Sequence, residues 1–402
     1  MAEKGNFIIG QSGGPSAVIN QSLIGAVMEA FKNDDKIEGI YGMQNGVEGL
    51  LKEKIIDFRK EKKETLERVR LTPGAALGSC RFKPKKEDCE KIFEICKKYN
   101  IRYFFYIGGN DSAETAGILN EIANAAGYDI TLIHIPKTID NDLRETDHCP
   151  GYGSAARYVT LLFKGDNFDN LSLKGIKINV VMGRNAGWLT AASALARENE
   201  TDAPHLIYVP ERPVSLDKII SDINNVYSKY GRCVVAVSEG LRNTDGELML
   251  KSKLTEQDAF GNIQLSGSGA LGDFLASQVK AKLGEKLRVR ADTLGYAQRS
   301  FFGIVSETDA KEAFEVGSAA VRYAMKGEKR GSVIIKRISN NPYKTETGLV
   351  PLEKVARVTK DLPDEFIKGD NDVTESFIEY AKPIVGEIPI SGRLEFHPIK
   401  WI

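Results

Sequence analysis

The stretch Ile-Thr-Leu-Ile-His-Ile-Pro-Lys-Thr-Ile-Asp-Asn-Asp, residues 130–142, is an apolar run that passes without transition into a lysine, a threonine and two aspartates. It is too short for a membrane helix, which needs about 20 apolar residues. Nor does it alternate as a strand wetted on one face would. It therefore reads as a strand covered on both faces, with a polar loop at its carboxyl end. The same pattern recurs at Phe7 to Gly10, Tyr103 to Gly109, Ile178 to Gly183, Leu206 to Pro210, Cys233 to Gly240 and Ser332 to Lys336. Between these runs, helical periodicity marks Val18 to Lys32, Lys86 to Tyr99, Ser154 to Lys164, Trp188 to Glu198, Asp217 to Tyr230, Gly269 to Leu287 and Asp309 to Lys326. Strand and helix alternate, which predicts an α/β fold with parallel sheets.

The chain has 402 residues, more than one hydrophobic core usually fills, so two doubly wound domains are expected. Fifty-five basic residues cancel fifty-five acidic ones, which leaves no bulk positive charge for a nucleic-acid backbone or a lipid surface. The five cysteines (Cys80, Cys89, Cys96, Cys149 and Cys233) are scattered, with no metal-ligand spacing, and read as free thiols in a reducing cytoplasm. Cys89 and Cys96 share a helical face, which suits packing. The first apolar stretch spans only four residues, and neither a signal peptide nor a membrane span fits. The mixed charges from Lys52 to Arg70 read as a solvated helix or loop, and Leu241 to Gly269 as a polar excursion or hairpin.

In open parallel sheets the ligand lies beyond the carboxyl ends of the strands. Polar motifs stand there. Gln-Ser-Gly-Gly-Pro-Ser, residues 11–16, follows the first strand and offers bare amides to an anion before a helix, or else a tight turn with Ser16 as helix cap. Gly108 and Gly109 lead into Asn110 and Asp111, oxygen ligands suited to Mg²⁺ held between protein and phosphate, or to a capped helix start. Lys137 to Asp142 gathers two carboxylates, an ammonium and a hydroxyl, whose joint desolvation is expensive without a ligand. An aspartate beside a lysine suits a base that takes an alcohol proton while cations stabilise a moving phosphoryl group. Gly-Ser-Gly-Ala-Leu-Gly at 267–272 matches a dinucleotide fingerprint, but a poor strand precedes it and no acidic residue closes a second strand.

Taken in order, Gly13-Gly14, Gly78-Ser79-Cys80-Arg81, Gly108 to Asp111, Thr138 to Asp142, Met182-Gly183-Arg184, Ser238-Glu239-Gly240 and Leu294 to Arg299 resemble the 6-phosphofructokinases over about residues 7–305. The resemblance implies two Rossmann-like domains with the active site in the cleft between them. One is 1–150, completed by segments from about 298–402 and holding the phosphoryl donor. The other is 151–297 and holds fructose 6-phosphate. It also implies Mg²⁺, no nucleic-acid or membrane partner, and a homodimer or homotetramer.

Carried over by position, Asp140 resembles the base on the sugar's 1-hydroxyl, and Arg184 the arginine that neutralises the phosphoryl group in flight. Thr138 and Ile139 resemble substrate contacts, and Asp142 an acidic partner near metal and base. Met182, Gly183 and Glu239 resemble sugar contacts. Tyr296 and Arg299, with Arg290 from a neighbouring subunit, resemble the clamp on the 6-phosphate. Gly13, Gly14 and Arg81 resemble contacts to the donor, and Asn110 stands at the metal position. Two departures concern the donor: Asp111 and Lys137 stand where the ATP-using pattern has glycines, and both resemble the pyrophosphate-dependent branch. A carboxylate at 111 takes the room of a nucleotide's α-phosphate and repels it, and Lys137 adds a cation. An ATP-using enzyme and a silent sugar-phosphate sensor are the competing readings. The sensor would need no base at Asp140.

Overall fold

A computed structural model of the chain describes residues 4–250, 265, 269–356, 359–395 and 397. Its helices are α1 (Ile19–Ala30), α2 (Gly46–Leu50), α3 (Lys63–Arg70), α4 (Lys86–Lys98), α5 (Asn110–Ala125), α6 (Tyr152–Ser172), α7 (Trp188–Ala192), α8 (Leu216–Tyr230), α9 (Ala270–Leu283), α10 (Glu307–Met325) and α11 (Glu375–Val385). The strands of the larger sheet are β1 (Gly5–Gln11), β2 (Ile37–Met43), β3 (Ile55–Asp57), β4 (Ile101–Gly108), β5 (Thr131–Pro136), β10 (Arg330–Asn340) and β11 (Tyr343–Val350). Those of the smaller sheet are β6 (Ile176–Val181), β7 (Leu206–Tyr208), β8 (Cys233–Ser238) and β9 (Val289–Thr293), and β12 (Ile367–Lys368) pairs with β13 (Asp372–Val373).

The larger sheet runs β11-β10-β5-β4-β1-β2-β3; its five inner strands are parallel, and the edge strands β3 and β11 are antiparallel to their neighbours. Chain order reverses between β1 and β4. Two-sided cover explains the uniformly apolar runs: Phe7, Ile9, Phe105 and Ile107 pack with α1 and α10, while Ile8, Phe104 and Tyr106 pack with α4 and α5. The smaller sheet is entirely parallel in the order β7-β8-β6-β9, with α8 and α9 on one face and α6, α7 and α11 on the other. All five cysteines are buried, and burial pushes the Cys89 and Cys96 thiols up to about 12, so they act as packing groups.

Several elements differ from the sequence expectation. The helix expected over Trp188 to Glu198 is a single α turn, α7, followed by a 3₁₀ turn at Ser193–Ala196. The one expected over Ser154 to Lys164 runs from Tyr152 to Ser172. α5 begins inside the Asn110-Asp111 motif, where the sequence suggests metal ligands or a capped helix start, and continues to Ala125. The excursion after Leu241 opens with an antiparallel bridge between Arg242 and Leu248, while 251–264 and 266–268, including the start of the Gly-Ser-Gly motif, lie outside the described residues. The tail divides: β10 and β11 extend the larger sheet, whereas Leu362, Phe377, Tyr380 and Ile384 share a core with α6 and α7.

α1 carries the Gly13-Gly14 loop at its head and lies against α10 with almost no side chain between them. A Cβ on Gly25 would overlap the Phe314 carbonyl oxygen, and one on Gly317 would overlap that of Ser22. Gly317→Ala should therefore force the helices apart and lower stability by about 1–3 kcal/mol. Chemical denaturation measures this, and an unchanged midpoint would contradict the close approach.

Candidate active site

Three strand ends converge at the switch point of the larger sheet. β1 delivers Ser12 to Pro15, β4 delivers Gly109 to Asp111, and β5 delivers Lys137 to Asp142. With Arg81 and with Arg299 from the loop after β9, they line a cleft of about 260 Å³. Gly13, Gly14, Asn110, Thr138, Ile139 and Asp140 line it too, together with Ser12 of the 11–16 motif and with Ser112, Thr115 and Tyr106, which sequence reading does not single out.

Lys137 is the buried cation of this cleft, 5% exposed, and its Nζ donates to the Gly14 carbonyl at 2.7 Å. Its backbone N–H donates to the Gly108 carbonyl at 2.9 Å, tying β5 to β4. The two glycines are small for this lysine and for Arg299: a Cβ on Gly13 would lie 3.1 Å from Lys137 Nζ, and one on Gly14 would lie 3.2 Å from the Arg299 guanidinium carbon. This corrects the expectation of bare amides at a helix start. α1 begins only at Ile19, Ser16 does not cap it, and the Gly13 N–H already donates to Cys80 O at 3.0 Å. Burial, and then the charge of Arg299, bring the Lys137 ammonium down to about 8.

Opposite stand the carboxylates. Thr138 Oγ1 donates to Asp142 Oδ1 at 3.0 Å and accepts from the Asp140 N–H at 3.1 Å, so one hydroxyl orders both aspartates. Asp140 Oδ1 is buried and has no hydrogen-bond partner in the protein. Desolvation first, then the negative charges of Asp142 and Glu239, push the Asp140 carboxyl up to about 7 against the pull of Arg299 and Lys137. Burial raises Asp142 as well, with the Thr138 hydrogen bond opposing.

At the mouth, Asp111 sits exposed in the first turn of α5, where a helix N-terminus favours negative charge. Lys83 reaches it at 3.4 Å and Glu114 at 2.8 Å, and Asn110 Oδ1 accepts from the Asp111 N–H at 2.9 Å. Gly108 is required here because a Cβ would overlap Ser112 Oγ and Ser12 Oγ, whereas Gly109 faces open space. Among the described residues no cluster of three or more His, Cys, Asp or Glu side chains is arranged to hold a metal. The exposed Asp111 carboxylate and the Asn110 side-chain carbonyl are oxygen donors of the kind a divalent cation takes alongside waters and substrate oxygens, without such a cage.

Loops of the smaller sheet come near enough for the Glu239 charge to act on Asp140. Gly183 N–H donates to Glu239 Oε1 at 3.5 Å, Ser238 Oγ donates to Gly183 O at 2.6 Å, and Met182 N–H donates to Gln298 Oε1 at 3.3 Å. These bonds lock the loops after β6, β8 and β9 together. Gln298, almost fully buried, was missed as a residue although it lies inside the quoted Leu294 to Arg299 motif. Met182, Gly183, Arg184, Glu239, Arg290 and Tyr296 do not line the cleft. Arg290 is exposed, and Tyr296 is half exposed with the Arg299 guanidinium 4.6 Å from its ring centre.

The family model of the phosphofructokinases matches residues 6–324. The chain belongs to that family. Among its relatives, the pyrophosphate–fructose 6-phosphate 1-phosphotransferase of Rhodospirillum rubrum is 51% identical over 97% of both chains. The sulfofructose kinase of Alkalicoccus urumqiensis is 34% identical over 96% of this chain and 97% of its own. The crystal structure of a pyrophosphate-dependent phosphofructokinase from Marinobacter aquaeolei superposes with a TM-score of 0.86, at 34% identity, over 97% of this phosphofructokinase and 94% of the other chain.

The like charges of Asp140 and Asp142 make a test that needs no substrate. Carboxyl ¹³C NMR should give Asp140 a midpoint near 7. Asp142→Asn removes a neighbouring negative charge and should lower that midpoint. An unmoved or rising midpoint would contradict the coupling.

Proposed function

We propose that this phosphofructokinase moves a phosphoryl group reversibly from pyrophosphate to the 1-hydroxyl of fructose 6-phosphate, giving fructose 1,6-bisphosphate and phosphate. The observation that carries the reading is the pairing of Asp140, whose buried Oδ1 has no partner, with the buried Lys137 ammonium in one cleft. Asp140 accepts the hydroxyl proton as the oxygen attacks phosphorus. The new O–P bond forms as the bridging P–O bond of pyrophosphate breaks, and phosphate leaves. In reverse, Asp140 returns the proton. Lys137 neutralises charge on the transferring group, with Arg184 brought to it when the substrates bind.

Gly13, Gly14 and Arg81 are proposed to seat the donor, and Thr138, Ile139, Met182, Gly183 and Glu239 the sugar. Arg299 and Tyr296 clamp the 6-phosphate. The exposed Arg290 is assigned to the site of a neighbouring subunit in a homodimer or homotetramer. Mg²⁺ bound beside Asn110 and Asp111 would shield the charges of pyrophosphate. Residues 1–150 with 298–402, and 151–297, are proposed as the two lobes, with Leu362 to Val385 of the tail packed on the second. Among the described residues no helix is long and apolar enough to cross a membrane, and a cytoplasmic site of action is proposed.

Donor choice provides the test. The parent should turn over with pyrophosphate far better than with ATP. Asp111→Gly removes the carboxylate that crowds and repels a nucleotide, so ATP use should rise, whereas Lys137→Gly should mainly lower the rate with pyrophosphate. The ratio of kcat/KM for the two donors, at saturating sugar and fixed free Mg²⁺, reads both effects. A parent that prefers ATP would overturn the donor assignment.

Protonation gives a second test. Below about 7 Asp140 is protonated and cannot take the hydroxyl proton, and above about 8 Lys137 loses its charge. kcat/KM should therefore rise through the first value and fall through the second. Lys137→Arg should remove the alkaline fall. Asp140→Asn should cost a factor of about 10² to 10⁴ in kcat. A flat profile from pH 6 to 9, or near-normal turnover by Asp140→Asn, would contradict these roles.

A further inference from the structure

The family match ends at residue 324, and the tail beyond it reaches the loop that carries the two aspartates. That loop, residues 137–150, is irregular. Asn141, between Asp140 and Asp142, has φ 56°, and Glu145 has φ 65°. Side-chain-bearing residues hold such conformations only when their surroundings impose them.

The tail supplies much of that restraint. Thr359 forms an antiparallel bridge with Leu143, and the Lys360 N–H donates to Asp142 O at 2.7 Å. Lys360 Nζ then turns back over the loop and donates to Thr146 O at 3.0 Å and to Asp147 O at 2.8 Å. Tyr380 of α11 donates its hydroxyl to Asp147 O at 3.0 Å and accepts from Asn141 Nδ2 at 3.0 Å. Carbonyls of three loop residues and the Asn141 side chain are thus held by two tail side chains and one tail amide.

Lys360 is anchored in turn to the other sheet. Its carbonyl accepts from the Trp188 indole N–H at 3.3 Å, and its ammonium lies 5.0 Å from the centre of the Trp188 ring. Trp188 heads α7 and shares a core with Met182, so one lysine connects the aspartate loop to the packing beneath the loop after β6. This is more than a generic surface tether, because a lysine that donates two hydrogen bonds to loop carbonyls fixes the path of the backbone.

We propose that Lys360 is a positioning residue for the phosphoryl-transfer step: by holding the backbone of residues 142–147, with Tyr380 as its second arm, it sets where the Asp140 carboxylate meets the attacking hydroxyl. The inference rests on the functional reading above. Neither Lys360 nor Tyr380 lines the cleft, so their loss should change the chemical step and leave substrate binding alone.

The test uses the full-length enzyme with Mg²⁺, fructose 6-phosphate and pyrophosphate. Lys360→Met keeps the apolar stem and deletes the ammonium. Its kcat should fall at least tenfold, with both KM values within twofold of the parent, in a protein whose circular dichroism is unchanged. Lys360→Arg, which can still donate to both carbonyls, should recover most of the loss. A folded Lys360→Met enzyme with kcat within twofold of the parent overturns the proposal. So does a change confined to KM, or to melting temperature with kcat retained. Should Lys360→Met fail to fold, Tyr380→Phe decides: a kcat at least threefold lower at constant KM supports the proposal, and an unchanged kcat overturns it. A parent inactive with pyrophosphate contradicts the functional reading instead, and the same comparisons are then made with whichever donor turns over.

Discussion

A buried ammonium must be surrounded by acceptors and negative charge, and Lys137 imposes that requirement on everything near it. Its Nζ is bound to the Gly14 carbonyl, and the loop after β1 therefore has to pass close by, with Gly13, at φ 73°, leaving room for the ammonium and Gly14 for the Arg299 guanidinium. Its backbone N–H is bound to the Gly108 carbonyl, which also lies 2.9 Å from His134 Nε2. Burial lowers His134 to about 4, so a neutral ring supports this junction and adds no further positive charge. The ends of β1, β4 and β5 are thereby fixed relative to one another around a single cation.

The carboxylates are the other half of the same balance. Asp142 and Glu239 repel Asp140, and burial adds to the difficulty of ionising the two aspartates, yet Lys137 and Arg299 pull Asp140 in the opposite direction. The result is a base raised toward neutrality and a cation lowered toward it, each perturbed by burial and by the other charges in the site. Such opposed shifts suit a reaction in which a proton leaves a hydroxyl while negative charge moves between phosphates. Thr138 keeps the two aspartates ordered while one oxygen of Asp140 stays without a protein partner.

Much of this was legible in the sequence because burial on two faces leaves a plain signal. The β1, β4, β5 and β8 runs are mostly apolar, as is β6 beyond Lys177 and Asn179, and the polar motifs do follow their carboxyl ends. β2 was not legible because Glu38, Gly39 and Gly42 break its run, and β9 because Arg290 and Asp292 face outward from an edge strand. α5 was hidden by its mixed composition beyond Asp111, and the helix expected after Trp188 gave way to a 3₁₀ turn despite its alanines. The use of the Gly13 amide by Cys80 could not be read from a glycine motif, since it depends on a residue 67 positions away in the chain. Lys360 had no local signal, as its partners are backbone carbonyls more than 200 positions earlier.

Lys137 is proposed as the cation on which pyrophosphate is placed for transfer to a hydroxyl facing Asp140. A crystal structure of the enzyme with Mg²⁺, pyrophosphate and a non-reacting analogue of fructose 6-phosphate measures this directly. A pyrophosphate oxygen should lie within hydrogen-bond distance of Lys137 Nζ, about 2.7–3.2 Å, with the analogue's carbon 1 end against the Asp140 carboxylate. A pyrophosphate bound away from Lys137, with that ammonium still bonded only to the Gly14 carbonyl, would contradict it.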